Sequence, residues 1–443
     1  MRTGFLLLSV AAVTACTAAA PESREVAELT AYIDTLPAID SHAHPMTFVN
    51  TGAPPDSEYD ALPLDALPPF DVPYGLRATQ PRYADAQLAL YGISSADTGA
   101  ARATALAQAR TTMQQQQGDK FQTWVLDQLH IDVMLANRVA MGAGLTSPRF
   151  RWVAFADALM LPLDGSREAG NTPDTKSLYP LEAKLLRRYL QDLGVAKIPA
   201  TLDRYQREVV TATLERQHAA GAVAIKFEAA YLRALDFEPA DSTAAASIYA
   251  RYAKSGAPTH AEYKLLQDHL VRFIARESGR LGMAVQIHST YGFGGFYSAA
   301  GAAPHLLESL FNDATLRKTH FVIIHGGWPL VEETLSLLAK GNVYADISMM
   351  DQLAEPAALT RALRMWLAEW PEKVMFGTDA FDAGAGQGWE QVAWVASHNA
   401  RRALRDALTG MVRDGEITTP RAHELARLVL RENAKVAYQL SGK

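Results

Sequence analysis

The chain has 443 residues, of which 49% are hydrophobic and 20% are charged, and its formal net charge is −6. This composition is typical of a large globular protein and excludes disorder over most of the length. The mildly acidic charge gives no reason to expect a nucleic acid or an anionic membrane surface as a partner.

The first residues predict an export signal. The apolar stretch 4–13 is shorter than the roughly 20 residues that a membrane span needs. The small residues before Cys16 resemble a bacterial lipoprotein cleavage box. We therefore expect a signal peptide over 1–15, a lipid on Cys16 and a tether over 16–28, which places the protein on the periplasmic side of a bacterial membrane. The alternative is an ordinary signal peptide cut near Ala20, with Cys16 discarded.

Cys16 is the only cysteine in the sequence. An intramolecular disulfide is therefore excluded, and so are a cysteine nucleophile and a cysteine-based zinc site in the folded domain. The fold has to be stabilised by its apolar core.

From residue 29 onward, short apolar runs alternate with segments of helical period. Buried parallel strands are expected to be short and almost continuously apolar, because helices cover their outer face. Eight alternations predict an α/β fold, a TIM-like (β/α)8 barrel, as a single domain over residues 29–443. The predicted strands are 37–44, 131–141, 150–159, 223–227, 284–289, 321–325, 343–347 and 374–378.

Two connections are too long for a minimal barrel, and we predict helical insertions there, after strands 1 and 3. Residues 45–128 and 160–222 each combine a loop with helical stretches. Barrel enzymes carry their active sites at the carboxyl ends of the strands, so we expect both insertions to cap the site. The alternative is insertions without catalytic use. The segment 418–440 predicts an amphipathic helix that packs against the barrel.

Polar residues stand at the ends of five predicted strands. Side chains two apart on a strand share a face, so His42 and His44 can converge on one ion. Imidazole and carboxylate ligands suit zinc best, with manganese or iron as alternatives. A catalytic zinc lowers the pKa of its water from about 15.7 toward 7. The strand-end residues are His42 and His44 (strand one), Lys226 (strand four), His288 (strand five), His325 (strand six) and Asp379 (strand eight).

Asp40 lies on the same strand face as His42. We consider two roles for it: it orients His42 from behind the metal site, or it fills the barrel interior.

This series resembles the amidohydrolase superfamily of metal-dependent (β/α)8 barrels. Its members have His-x-His after strand one, histidines after strands five and six, an aspartate after strand eight and often a lysine after strand four. The stretches "IHSTYG", "HGGWP" and "FGTDAF" are similar to the amidohydrolase-related, nodulin-like branch. The resemblance covers nearly all of the expected mature chain.

The resemblance implies that His42, His44, His288 and Asp379 bind a divalent metal and that Asp379 also moves a proton from the attacking water. His325 is then either a ligand of a second metal, or an acid/base or carbonyl-polarising group. Two alternative roles follow for Lys226. In two-metal relatives the lysine is carboxylated and bridges both ions, whereas in one-metal relatives it binds a substrate carboxylate as a cation.

One position departs from the branch pattern, in which arginine directly follows tyrosine. Here Leu232 separates Tyr231 from Arg233, so no substrate role is carried over to Arg233.

The resemblance implies an enzyme that acts on a small molecule. The leading hypothesis is a hydrolase that attacks a C–N or C–O bond of a carbonyl substrate with metal-bound hydroxide. One alternative is a one-metal decarboxylase or uronate-isomerase-like enzyme. The other is a catalytically inactive, lipid-anchored binding protein.

Overall fold

Eight parallel strands follow one another around a single sheet in chain order. The computed structural model describes residues 24–49, 54–94, 98–172, 174–384 and 386–440. The expected signal peptide and Cys16 lie outside them, and α1 begins at Arg24, within the expected tether. The strands are β1 Ala38–Ala43, β2 Ile131–Asn137, β3 Phe150–Phe155, β4 Ala222–Phe227, β5 Ala284–His288, β6 Phe321–Ile324, β7 Val343–Asp346 and β8 Val374–Met375.

Helices connect the strands and cover the sheet. They are α1 Arg24–Thr35, α2 Pro81–Tyr91, α3 Gly99–Gln117, α4 Phe121–Gln128, α5 Asp157–Met160, α6 Ser166–Asn171, α7 Tyr179–Asp192, α8 Leu202–Tyr205, α9 Ala212–Ala219, α10 Ser242–Tyr252, α11 His260–Arg280, α12 Glu308–Phe311, α13 Val331–Leu338, α14 Met350–Leu353, α15 Pro356–Glu369, α16 Trp389–Arg413, α17 Thr419–Arg427 and α18 Asn433–Ala437. None of the helices within the described ranges combines the length and the apolar composition that a membrane span requires.

The sheet curls into a nearly closed (β/α)8 barrel, which confirms the predicted fold. The ends meet through single backbone bonds: Ser41 N donates to Phe376 O at 3.0 Å, and Asp379 N donates to His42 O at 2.7 Å. The second hydrogen bond places the segment that follows β8 beside His42, which is near the end of β1. Backbone hydrogen bonds therefore connect the segment that carries His42 and His44 to the segment that carries Asp379.

All eight predicted strands form, but β2, β3 and β8 end at least three residues earlier than predicted. After Phe155 the chain turns into α5, because an apolar run does not by itself distinguish a strand from a short buried helix. β2 ends at Asn137, before the predicted 141. β8 has only two residues, since Phe376 N donates to Val429 O, 2.9 Å away, instead of to a neighbouring strand.

Local sequence explains where α11 starts. Thr259 accepts a hydrogen bond from the backbone N–H of Glu262, and the Glu262 carboxylate accepts one from Thr259 N at 2.9 Å. This capping box satisfies two donors at the helix start. The predicted C-terminal helix is present as α17 and α18, with a π-helical segment, Leu428–Glu432, between them.

The two insertions differ in what they do. The first supplies one wall of the central cavity, from Met46 to Leu76, as expected. The second contributes none of the described residues that line this cavity, so the expectation that it caps the site directly is wrong. It supports the first insertion from behind: Ser177 Oγ donates to Ala66 O at 2.7 Å, and Arg188 pairs with Glu58.

Candidate metal centre

The six predicted site residues converge at the carboxyl end of the barrel. All of them line one cavity and are at least 95% buried. They come from five different strand ends, so only the closed barrel brings them together. They are His42, His44, Lys226, His288, His325 and Asp379.

Asp379 is the hub of this cluster. Its Oδ1 lies 3.1 Å from His42 Nε2 and 3.5 Å from His44 Nε2, and its Oδ2 lies 4.0 Å from His325 Nδ1. Two atoms bound to one tetrahedral ion at about 2.0–2.2 Å are roughly 3.3 Å apart. The spacing of the His42, His44 and Asp379 atoms therefore suits a shared divalent ion.

The ring of His42 is held by Gln286, which sequence reasoning missed. Gln286 Nε2 donates to Ser41 O and to Tyr438 Oη, each at 2.8 Å, so its Oε1 is turned toward His42 Nδ1 at 3.1 Å. A proton on Nδ1 then donates to Gln286 and leaves the Nε2 lone pair facing Asp379. The amide nitrogen of Asn137 lies 2.8 Å from the same Nδ1, while its Oδ1 has no partner among the described residues. Exchanging the amide oxygen and nitrogen, which are assigned from the hydrogen-bond network, lets Oδ1 accept the Nδ1 proton as well.

His44 has a carboxylate neighbour from the first insertion. Its Nδ1 lies 3.1 Å from Asp60 Oδ2, while its Nε2 faces Asp379. A carboxylate behind a histidine fixes the ring and its tautomer. Asp60 was missed because it lies in an irregular loop whose path the sequence pattern does not reveal.

His325 and Asp379 both adopt left-handed backbone conformations, with φ of 63° and 49°. Each costs on the order of 1–3 kcal/mol in a residue other than glycine. The surrounding bonds hold both in place. Asp346 Oδ1 accepts from His325 N at 3.0 Å, and Gln352 Nε2 donates to Asp379 O at 3.0 Å. Strained residues of this kind are typical of functional sites.

Asp40 does not contact the imidazole of His42. It accepts hydrogen bonds from the backbone N–H of His42 at 3.2 Å, from Thr378 N at 2.9 Å and from Thr378 Oγ1 at 2.6 Å. It therefore ties the end of β1 to the segment that precedes Asp379. Its role is to hold backbone, and Gln286 takes the ring-orienting role considered for it.

Lys226 points into the centre of the site. Its side chain is 1% exposed, and Nζ lies 3.2 Å from His42 Nε2. Arg233, by contrast, is not among the residues that line the cavity. It pairs with Asp268 on α11 at 2.8 Å, in agreement with the departure from the branch pattern.

The donor set fits a divalent cation. His288 Nε2 is buried without a hydrogen-bond partner among the described residues, while its Nδ1 lies 3.1 Å from His325 Nε2. Burial holds the pKa values of His42, His288 and His325 well below the usual range, and nearby positive charge adds to the effect. These rings are therefore neutral, which is the form that binds metal.

Burial also governs the acids around the site. It raises the pKa of Asp379 and of Asp40 to about 7, and that of Asp346 to about 6. The pKa of Glu228 lies well above its usual range because of burial and then the charge of Asp60. Burial thus favours the neutral form of these carboxyl groups, and a cation bound beside them would favour the ionised form.

The cavity has a volume of about 410 Å³ and opens at the carboxyl end of the barrel. This is within the range of small-molecule sites. Its base is polar, and its walls are mostly apolar, with contributions from the first insertion and the loops after β5 and β8. The apolar lining residues are Met46, Leu62, Leu64, Phe70, Val72, Leu76, Phe293, Met349, Phe381 and Ala383.

A (β/α)8 barrel with histidines and an aspartate at its carboxyl-end strand termini defines a candidate metal-dependent enzyme. The chain belongs to the amidohydrolase family, whose sequence profile matches residues 182–438, more than half of its length. The family expected from the strand ends is thereby confirmed. The matched region contains Lys226, His288, His325 and Asp379, and it begins after His42 and His44.

Solved structures share the fold at low sequence identity. A uronate isomerase from Thermotoga maritima has a TM-score of 0.58 and 13% identity, with 94% of this chain and 98% of that chain covered. A glucuronate isomerase from Caulobacter crescentus has a TM-score of 0.60 and 15% identity, with 95% of this chain and 94% of that chain covered. A candidate metal-dependent hydrolase from Lactobacillus casei has a TM-score of 0.57 and 15% identity, with 93% of this chain and 97% of that chain covered. No protein of curated function matches the chain.

Proposed function

We propose that the protein is a metal-dependent hydrolase that cleaves a C–N or C–O bond at the carbonyl of an amide, ester or lactone. The observation that carries the proposal is the convergence of four histidines and Asp379 at the base of a cavity of about 410 Å³. Family membership supports it.

In this proposal His42, His44, His288 and Asp379 hold the metal, and zinc suits their donors best, with manganese or iron as alternatives. The bound ion would activate a water molecule and polarise the substrate carbonyl. Asp379 takes up the proton of the attacking water and passes it to the leaving group. His325 contributes either as a ligand of a second ion or as a donor to the carbonyl oxygen.

Lys226 determines which version of the site is used. Its buried Nζ, 3.2 Å from His42 Nε2, is within reach of a shared metal centre. Carboxylation would make it a bridge between two ions, whereas an unmodified ammonium would bind an anionic substrate group. About two metal ions per chain, with activity that depends on bicarbonate, supports the first version, and about one ion supports the second.

A one-metal isomerase or decarboxylase is the main alternative, since two of the structural neighbours are uronate isomerases. The charges in the cavity instead favour hydrolysis of a substrate that lacks a carboxylate. A uronate carries a carboxylate, and Lys226 is the only lysine or arginine among the described residues that line the cavity. The intact set of candidate ligands argues against an inactive binding protein.

The protein is also proposed to be exported and anchored through a lipid on Cys16. The support is the short apolar stretch and the small residues that precede the only cysteine in the sequence.

The test is a panel of amides, esters, lactones and uronates offered to the metal-loaded protein. We expect hydrolysis of at least one amide, ester or lactone, with a rate about 10²–10⁴-fold lower in Asp379→Asn. Asp203→Asn, which changes an exposed acid on α8, is the matched control and should keep full activity. Conversion of a uronate without any hydrolysis would contradict the proposal, as would equal rates in wild type and Asp379→Asn.

A further inference from the structure

Glu228, two residues beyond Lys226 at the end of β4, has no assigned role in the hydrolytic machinery. It lines the cavity and is only 6% exposed, and its Oε2 has no hydrogen-bond partner among the described residues. A buried carboxylate oxygen without a donor is costly. A donor on a bound ligand would satisfy this oxygen and favour its ionised form.

Asp60 faces the same point from the first insertion. One carboxylate oxygen from Asp60, one from Glu228 and a ring nitrogen of His44 all lie within 4.8 Å of one another. A protonated amine has three N–H donors, and charge-assisted N–H···O bonds are about 2.7–2.9 Å long. An ammonium group between the two carboxylates can therefore donate to both.

The net charge of the cavity supports a cationic ligand. A cation bound in the cavity favours the ionised form of the carboxyl groups beside it. With all five ionised, their negative charges exceed the three positive charges of Lys226 and one divalent ion by two. A carboxylate on a substrate would add to this excess, whereas an ammonium group reduces it. The carboxyl groups that line the cavity are Asp60, Asp65, Glu228, Asp379 and Asp382.

An aromatic wall lies in the same cavity. The ring of Phe293 is 5.5 Å from that of Phe70 and 6.1 Å from that of Phe381, and Phe293 itself is 5% exposed. These rings come from the first insertion and from the loops after β5 and β8. Leu62 and Leu76 extend the apolar surface. This wall suits an apolar substrate group about as large as a phenyl ring.

We propose that Asp60 and Glu228 form an ammonium subsite and that the substrate combines a protonated amine with an apolar, preferably aromatic, group. This proposal rests on the hydrolase function in naming the ligand as a substrate. The cavity then holds the amine between two carboxylates and the apolar group against Phe70, Phe293 and Phe381, with the scissile carbonyl directed at Asp379.

A second metal ion at the same three atoms is the competing occupant. The geometry of His44 disfavours it. His44 Nε2 already faces Asp379, and the tautomer that leaves Nε2 free places the proton on Nδ1, toward Asp60. A protonated Nδ1 is not a metal ligand.

The test is calorimetric titration of the metal-loaded protein with three probes of one shape: 3-phenylpropylamine, 3-phenylpropanol and 3-phenylpropanoate. We expect the amine to bind at least about tenfold more tightly than the alcohol, and the alcohol more tightly than the acid. In Glu228→Gln, amine affinity should fall about tenfold while alcohol affinity stays unchanged. Glu332→Gln, an exposed acid at the start of α13, is the control and should leave all three affinities unchanged.

Three results would overturn the proposal. The acid or the alcohol binds as tightly as the amine; amine binding survives in Glu228→Gln, which would indicate coordination of the amine to the metal; or Glu228→Gln loses a metal equivalent, which would make Glu228 a metal ligand. If the variant does not fold, the three titrations are repeated with metal-free wild type: a preference for the amine that persists supports the subsite, and one that is lost indicates coordination to the metal. Because the titration needs no turnover, amine selectivity can hold while hydrolysis fails, and the reverse, so the two proposals fail separately.

Discussion

Gln286 on β5 fixes the imidazole of His42 on β1 across the barrel interior. Its amide nitrogen is held by Ser41 O and Tyr438 Oη, and its amide oxygen is 3.1 Å from His42 Nδ1. The anchored amide selects the tautomer of His42 that presents Nε2 to the site.

Gln286→Leu should therefore weaken metal binding by about 10–100-fold, because His42 loses the partner that orients its ring. Metal affinity measured by competition with a chromogenic chelator checks this. Gln217→Leu removes another buried glutamine, on α9 and outside the cavity, and should leave the affinity unchanged. Wild-type affinity in Gln286→Leu would show that the ring is oriented by other contacts.

Asp346, which lies near the site, should contribute strongly to the free energy of unfolding. Its Oδ1 accepts from His325 N at 3.0 Å, Ser348 N at 3.2 Å and Ser348 Oγ at 2.6 Å. Asp346→Ala leaves these buried donors unpaired, and we expect a loss of about 2–4 kcal/mol in the free energy of unfolding. Urea unfolding of the metal-free protein measures it. Asp203→Ala, which breaks an exposed pair with Arg207, should leave the free energy of unfolding almost unchanged.

Glu182 should make the free energy of unfolding depend on pH. It is buried on α7 with both carboxylate oxygens unpartnered among the described residues, and burial raises its pKa well above the usual range. A raised folded-state pKa means that its contribution to stability is present below the unfolded pKa of about 4.5 and is lost as pH rises through the folded value. Wild type should therefore lose stability relative to Glu182→Gln between pH 5 and pH 8.

Thermal unfolding followed by circular dichroism across this pH range tests that prediction. Glu332→Gln, on the exposed face of α13, provides the control for removing one negative charge. A constant difference in Tm between wild type and Glu182→Gln at all pH values would mean that Glu182 titrates normally in the folded state.

Cys16 allows a test of the proposed anchor. Cys16→Ser removes the thiol that would carry the lipid, so the protein should move from the detergent-extracted membrane fraction to the soluble periplasmic fraction. Mass spectrometry of the mature N-terminus should show lipid on Cys16 in wild type. An unmodified N-terminus near Ala20 in both proteins would instead support an ordinary signal peptide.

The sequence carried enough information for the barrel and for the six residues at its base. Strands of continuous apolar residues and polar strand ends are local patterns, and strand order follows from the alternation with helices. Gln286 shares the inward face of β5 with His288, but strand parity does not say which residue it meets across the barrel. Asp60 lies in an insertion without periodicity, and a sequence pattern does not show that Glu228 has an unpartnered carboxylate oxygen close to Asp60.

Metal content is the most direct test of the central claim. Elemental analysis of protein purified without chelators should find at least one divalent ion per chain, with zinc the most abundant. The double variant His42→Ala/His44→Ala should retain almost none, while keeping its helical circular dichroism spectrum. A wild-type protein that retains no metal, or a double variant that retains as much as wild type, would contradict the assignment of this site.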